Sequence, residues 1–140
     1  MRVMGLDVGT KTVGVAVSDE LGLTAQGVTT VRRKNRKTDT AALRKLIDDY
    51  GVERIVVGLP LNMDGTEGPR AEACRKFGDQ LAQAFSLPII WWDERLSTVA
   101  AERALLEGDV SRKKRREVID QVAASLILQG WLDAQPGSTT

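Results

Sequence analysis

Three acidic residues stand where an acid is expensive to keep. Asp7 interrupts an apolar run in "GLDVGTKTVGVAVSD" (5–19). Glu94 follows Asp93 just past the apolar stretch "LPIIWW" (87–92). Asp120 lies one position round from the apolar stripe of a C-terminal helical segment. The 140 residues include no histidine and one cysteine, Cys74. Ser-His-Asp and Cys-His catalysis, His-ligated zinc and an internal disulfide are thereby excluded. Hydrolytic chemistry falls to carboxylates, to lysine, or to a metal held by oxygen ligands. Each acid also has a plainer reading: Asp7 as a turn residue, "DER" as a solvated salt-bridge cluster, Asp120 as a wet helix border. Gathering three unpaired carboxylates is costly, because like charges at short range repel. A divalent cation removes that cost. Magnesium takes oxygen ligands and keeps waters and phosphates in its shell. Two such ions about 4 Å apart activate a water and stabilise the leaving oxygen in phosphodiester cleavage.

These acids need rigid elements to carry them. The segments 3–8, 12–18 and about 24–31 read as strands, joined by Gly9-Thr10-Lys11 and by "DELG" (19–22). Short connections make them an antiparallel meander. Residues 38–50 place Ala42, Leu43, Leu46, Ile47 and Tyr50 on one helical face, and Gly51 ends that helix. "RIVVGLP" (54–60) and 87–92 are wholly apolar, as strands buried on both faces are. Between them a loop enters a helix near Gly68-Pro69, with Cys74, Phe77, Leu81 and Phe85 on one stripe. Cys74 therefore reads as a small core residue. Trp91 and Trp92, adjacent on a strand, face opposite sides and read as core. A helix from the "DERLST" segment to about Gly108 precedes a last helix over 112–134, with the stripe Val118, Ile119, Val122, Ala123, Leu126 and Ile127. The expected fold is α/β: a mixed five-stranded sheet, three antiparallel strands then parallel ones, with helices on both faces. It forms one domain over 1–134 with a frayed tail over 135–140. Strand alternation puts Asp7 with Val3 and Gly5, and Glu94 with Ile90 and Trp92. Those rows must share a sheet face for the acids to meet. Asp120 shares its side of the helix with Ala123, Ala124 and Ile127, small enough residues to let the helix approach the sheet.

The charge is unevenly spread. "RRKNRK" (32–37) and "RKKRR" (112–116) hold ten of the twenty basic residues and no acid. The remainder carries ten positive against nineteen negative charges, a net of −9. Two basic patches on a mildly acidic body suit phosphate contact, although a solvated surface run is the commoner explanation. Arg112, Lys113, Lys114, Arg115 and Arg116 lie one to two turns before Asp120, with Ser111 as a cap. Cations there oppose the helix dipole and gain from a polyanion. Lys11 follows Asp7 closely enough to touch a substrate phosphate. Arg95 and Thr98 either steady the Glu94 segment or begin the next helix. The 58–70 loop ends at a helix start that would suit a phosphate, or is plain loop chemistry.

Four stretches, "GLDVGTKTVGVAVSD", "IVVGLPLNMDGTEGPRA", "DERLSTVAAERAL" and "KKRREVIDQVAASLIL", resemble the YqgF/RuvX family of the RNase H-like superfamily, in family order and over nearly the whole chain. The resemblance implies an RNase H-like sheet and a metal site, Mg2+ or Mn2+, from Asp7, Glu94 and Asp120. It implies a nuclease maturing the precursor of 16S ribosomal RNA, with Holliday junction resolution as the alternative activity. It also places the ligand at Glu94 rather than Asp93. Two rival readings stay open. "DVGTK" also resembles the phosphate loop of actin/Hsp70-like ATPases, which need two such domains. A non-catalytic nucleic-acid-binding protein would use the basic patches alone. The sequence has no long apolar run and no leader pattern, so a cytoplasmic protein without a membrane partner is expected. No stripe announces a dimer surface. The expectation is a monomer acting on nucleic acid, RNA rather than DNA, with a dimer as the alternative.

Overall fold

The structure, a computed structural model, describes residues 1–99 and 112–136, with the backbone alone for 112–116. Five strands form one sheet: β1 (Arg2–Val8), β2 (Thr12–Ser18), β3 (Ala25–Arg32), β4 (Val52–Leu59) and β5 (Ile89–Asp93). Among the described residues three α-helices accompany them: α1 (Arg36–Tyr50), α2 (Pro69–Phe85) and α3 (Arg112–Asp133). The strand order is β3-β2-β1-β4-β5. The β1–β2 and β2–β3 pairs are antiparallel, while β1–β4 and β4–β5 are parallel. The meander and the crossovers are thus those expected. The helix read to Gly108 falls on 100–111, outside the described residues, as does Ser111.

Because β1 and β4 are central, both of their faces are covered. Met4, Leu6 and Val8 join Leu43 and Ile47 of α1 and Cys74, Phe77 and Leu81 of α2 in one core. Val3, Ala16 and Val56 join Ala123, Ala124, Ile127 and Leu128 of α3 in the other, against which Ile90 and Trp92 pack. The rows of Asp7 and Glu94 therefore do lie on one face, the α3 face. The two tryptophans split as their parity requires: Trp91 packs against the first core and Trp92 against the second.

The α3 stripe differs from the sequence reading. Val118 is exposed, and Ala124, Leu128 and Leu132 are buried with Ile119, Ala123 and Ile127. The buried face is rotated toward Ala124, Leu128 and Leu132, and the sheet beneath carries Gly5, Gly14 and Gly27 where the helix comes closest. A side chain at Gly5 would lie 2.6 Å from Leu128 Cβ, and one at Gly27 3.0 Å from Gln121 Cβ. At Gly14 a Cβ would run into the backbone carbonyl of Asp120. Side chains on the sheet at these positions would hold the helix off.

The "RRKNRK" segment is more ordered than a free loop. Arg32 ends β3, and Arg36 and Lys37 open α1. The side chain of Asn35 caps α1 by accepting the Thr38 N–H at 2.8 Å. Gly51 closes α1 at φ 66°, as a left-handed C-cap requires. No described helix is long and apolar enough to cross a membrane.

Candidate active site

Asp7 lies near the C-terminal end of β1, only 7% exposed. Its register partner on β2 is Gly14, the residue on which Asp120 rests. One bare glycine thus brings a strand acid and a helix acid side by side. The carboxylate of Asp120 accepts a 2.6 Å hydrogen bond from the Thr12 hydroxyl.

The third acid arrives from the opposite edge. After β5 the chain makes one turn of 3-10 helix, Glu94–Leu96. Asp93 caps it by accepting the Arg95 N–H at 2.9 Å. The Arg95 guanidinium closes on the same carboxylate at 2.7 Å and donates to the Met63 carbonyl at 3.3 Å. This guanidinium holds the Asp93 carboxyl below the usual range. Glu94 is turned the other way, over Gly58, where a Cβ would come within 3.2 Å of its carboxyl carbon.

Asp7, Glu94 and Asp120 line one cavity of about 430 Å3, with Lys11, Thr12 and Arg70 among its other walls. The cavity brings the three singled-out acids together, and Lys11 with them. Arg95 is committed to Asp93 and to the loop at Met63 instead. Arg112, Lys113, Lys114, Arg115 and Arg116 form the start of α3, but their side chains lie outside the described residues. Among the described residues no three acids, histidines or cysteines are drawn into a closed ligand cluster. The donor set is nonetheless all oxygen around open space. That chemistry fits a hard divalent cation which keeps part of its water shell.

Three contributors carried no sequence signal. Thr12 reads as an ordinary strand residue. Gly14 reads as a weak point in a strand. Arg70, just inside α2, donates to the Val8 carbonyl at 2.7 Å and so steadies the end of β1 beside Asp7. Arg33 does the same at the Gly9 carbonyl, also at 2.7 Å. Beneath them the Cys74 thiol is buried against the Val8 carbonyl, and burial pushes it up to about 11.

A family model described as RuvX, Holliday junction resolvase, matches residues 1–134. The chain belongs to the RuvX family. Among its relatives, a Myxococcus xanthus protein named "Putative pre-16S rRNA nuclease" is 69% identical over 134 residues, covering 96% of this chain and 89% of that one. A Moorella thermoacetica protein of the same name is 63% identical over 133 residues, covering 95% of each. RuvX membership agrees with the structural neighbours. RuvC of Thermus thermophilus, in complex with a Holliday junction substrate, superposes with a TM-score of 0.59 at 15% identity, over 94% of each chain. The fowlpox virus Holliday junction resolvase gives a TM-score of 0.54 at 12% identity, over 96% of this chain and all of that one. At such identities the likeness concerns the fold, which is the RNase H-like mixed sheet expected from the sequence.

Proposed function

We propose that this chain is a divalent-metal-dependent endonuclease, with Asp7, Glu94 and Asp120 as the metal-holding acids and the 5′ end of pre-16S ribosomal RNA as its target. The observation that carries this reading is the convergence of the three acids on one cavity from three separate elements. Bound Mg2+ or Mn2+ would supply Lewis-acid stabilisation and an activated water. The chain's own residues do the positioning. Asp7 is fixed on a strand buried on both faces. Thr12 orients the Asp120 carboxylate. The Asp93–Arg95 clamp leaves Glu94 facing the cavity. Lys11 and Arg70 place positive charge at its wall, where a phosphate would enter. The names of the relatives support ribosomal RNA as the substrate.

The family description favours a second reading, resolution of four-way DNA junctions. Resolution needs two symmetric cuts, and a C2 dimer is the usual way to hold two sites at a fixed spacing. Among the described residues the three acids line a single cavity together, which suits single cuts in single-stranded RNA by a monomer. The test is cleavage by purified protein of pre-16S rRNA, single-stranded RNA and a four-way junction, with Mg2+ or Mn2+ and an Asp7→Asn control. Metal-dependent cuts in RNA, absent from the control, are expected. A stable dimer giving paired symmetric nicks, with little RNA cleavage, would replace this reading by the resolvase. Wild-type cleavage by Asp7→Asn would remove Asp7 from the mechanism.

A further inference from the structure

Beside the acid-lined cavity opens a larger one, of about 560 Å3. Arg33, Lys34, Arg36, Arg70 and Lys76 line it, with Asp39 as the one acid among its walls. Asp39 is buried, and its Oδ1 accepts the Lys34 backbone N–H at 2.9 Å, so it serves the turn into α1. Thr10 and Arg70 line both cavities, which makes the two adjoining parts of one surface. Arg33 and Arg70 each give one N–H to the end of β1, at Gly9 and Val8. Both residues line the cavity. Lys34, Arg36 and Lys76 are exposed, and none is in the ion pairs of the described residues. Residues far apart in sequence are thus gathered by the fold into a concave, cationic wall that reaches the acids.

We propose that this cavity is a phosphate-backbone subsite, holding a single strand that runs away from the bond to be cut. The inference rests on the nuclease reading and names the form of substrate. A volume of this size lies in the range of pockets that enclose small ligands. It suits a nucleotide or two of a strand that can bend. A duplex, stiff over about 50 nm, cannot fold into such a concavity. Phe77 lies beneath Arg33, whose guanidinium carbon is 5.0 Å from the ring centroid, and is buried. The cavity therefore offers cations and no open aromatic face for stacking. Recognition would be of phosphates, without sequence preference.

The test replaces Lys34, Arg36 and Lys76 together by glutamine, all three being exposed. Binding is measured in the Asp7→Asn background on labelled single-stranded RNAs of increasing length and on a duplex, over a range of salt. A second variant, Lys45→Gln, removes an exposed charge of α1 that lies outside the basic patches and does not line the cavity. Thermal melts check that both remain folded. For long single strands the triple variant should lose affinity roughly tenfold or more. Its salt slope should flatten by about 0.7 per lost contact, or about 2 in all. The shortest RNA and the duplex should be little affected, and the control variant should bind as its parent does. Unchanged affinity and slope on long single strands overturn the subsite, as does an equal loss on the duplex or in the control. If the wild-type protein cleaves no nucleic acid but the triple variant shows the expected loss, the nuclease reading fails and the subsite stands. If the wild type cleaves and the triple variant binds normally, the subsite alone fails.

Discussion

The Thr12 hydroxyl donates a 2.6 Å hydrogen bond to Oδ2 of Asp120, joining the first residue of β2 to the middle of α3 across 108 positions. The Gly9 N–H in turn donates to the Thr12 carbonyl at 2.8 Å, so the hairpin turn fixes where that hydroxyl stands. A hydrogen bond to a charged group is worth about 1.5–3 kcal/mol. Thr12→Val keeps the shape and deletes the donor. If the loss falls on the transition state, cleavage should slow by about tenfold or more, since about 1.4 kcal/mol is tenfold in rate. Thr12→Ser should restore most of it. Titration of activity against metal concentration should also show Thr12→Val reaching half-activity only at higher metal. Unchanged kinetics there would mean that Asp120 needs no such alignment.

Gly14 should tolerate no side chain. It pairs with Asp7 in register, and a Cβ on it meets the backbone carbonyl of Asp120, which cannot rotate aside. Gly14→Ala must push α3 outward. Overpacking of this kind costs about 1–3 kcal/mol, a fall of several degrees in Tm. Activity should drop further than stability does, because the shift separates Asp120 from Asp7. Gly51→Ala is the useful contrast. Nothing lies within 4 Å of its Cβ, and only its φ of 66° is offended, so activity should survive. Native Tm and native cleavage in Gly14→Ala would refute the close approach of helix and strand.

Those two residues also show what a sequence can and cannot reveal. The strands were legible because β-branched runs and turn residues are local signals. Strand parity put Asp7 in a row with Val3 and Gly5, and Glu94 in one with Ile90 and Trp92; that the acids meet required both rows to share a face, and Val3, Ile90 and Trp92 do pack in one core. The small residues Ala123 and Ala124 correctly announced a helix lying close to the sheet. The other half of that contact was hidden, since a glycine inside a strand looks like weakness until its partner, over a hundred residues away, is known. The angle of the α3 stripe failed for the same reason. Val118 is as apolar as Leu128, and only the glycine floor decides which turns inward. Asp93 and Glu94 are indistinguishable as letters; the 3-10 turn and Arg95 separate them. The cations of the second cavity come from 33–36 and from α2, and no local pattern links them.

Cys74 should behave as an inert part of the core. It is 1% exposed, and burial pushes its thiol up to about 11. The native protein then keeps this proton over a range in which the unfolded chain, at about 8.5, has begun to release it. Stability drawn from the neutral thiol is therefore full below about pH 8.5 and is lost as pH rises through the folded value. A thiol reagent at mildly alkaline pH should react slowly with native protein and rapidly in denaturant. Rapid native labelling would show that α2 opens beneath the active site.

Glu94→Gln and Asp93→Asn should part company. Glu94 lines the acid cavity, so its neutral variant should lose cleavage while folding normally. Asp93 is spent on Arg95, so Asp93→Asn should keep most of the chemistry and loosen the loop held at Met63. Arg95 depresses the Asp93 carboxyl in the folded state. The stabilisation this represents is present above the unfolded value of about 3.9 and is lost as pH falls through the lower folded one. The pair is partly exposed, so the effect is small. Urea midpoints of wild type and Asp93→Asn should differ near neutrality and converge at strongly acid pH, below that folded value. A gap that persists there would assign the difference to packing rather than to charge. An inactive Asp93→Asn beside an active Glu94→Gln would reverse the two roles and move the third acid of the site by one residue.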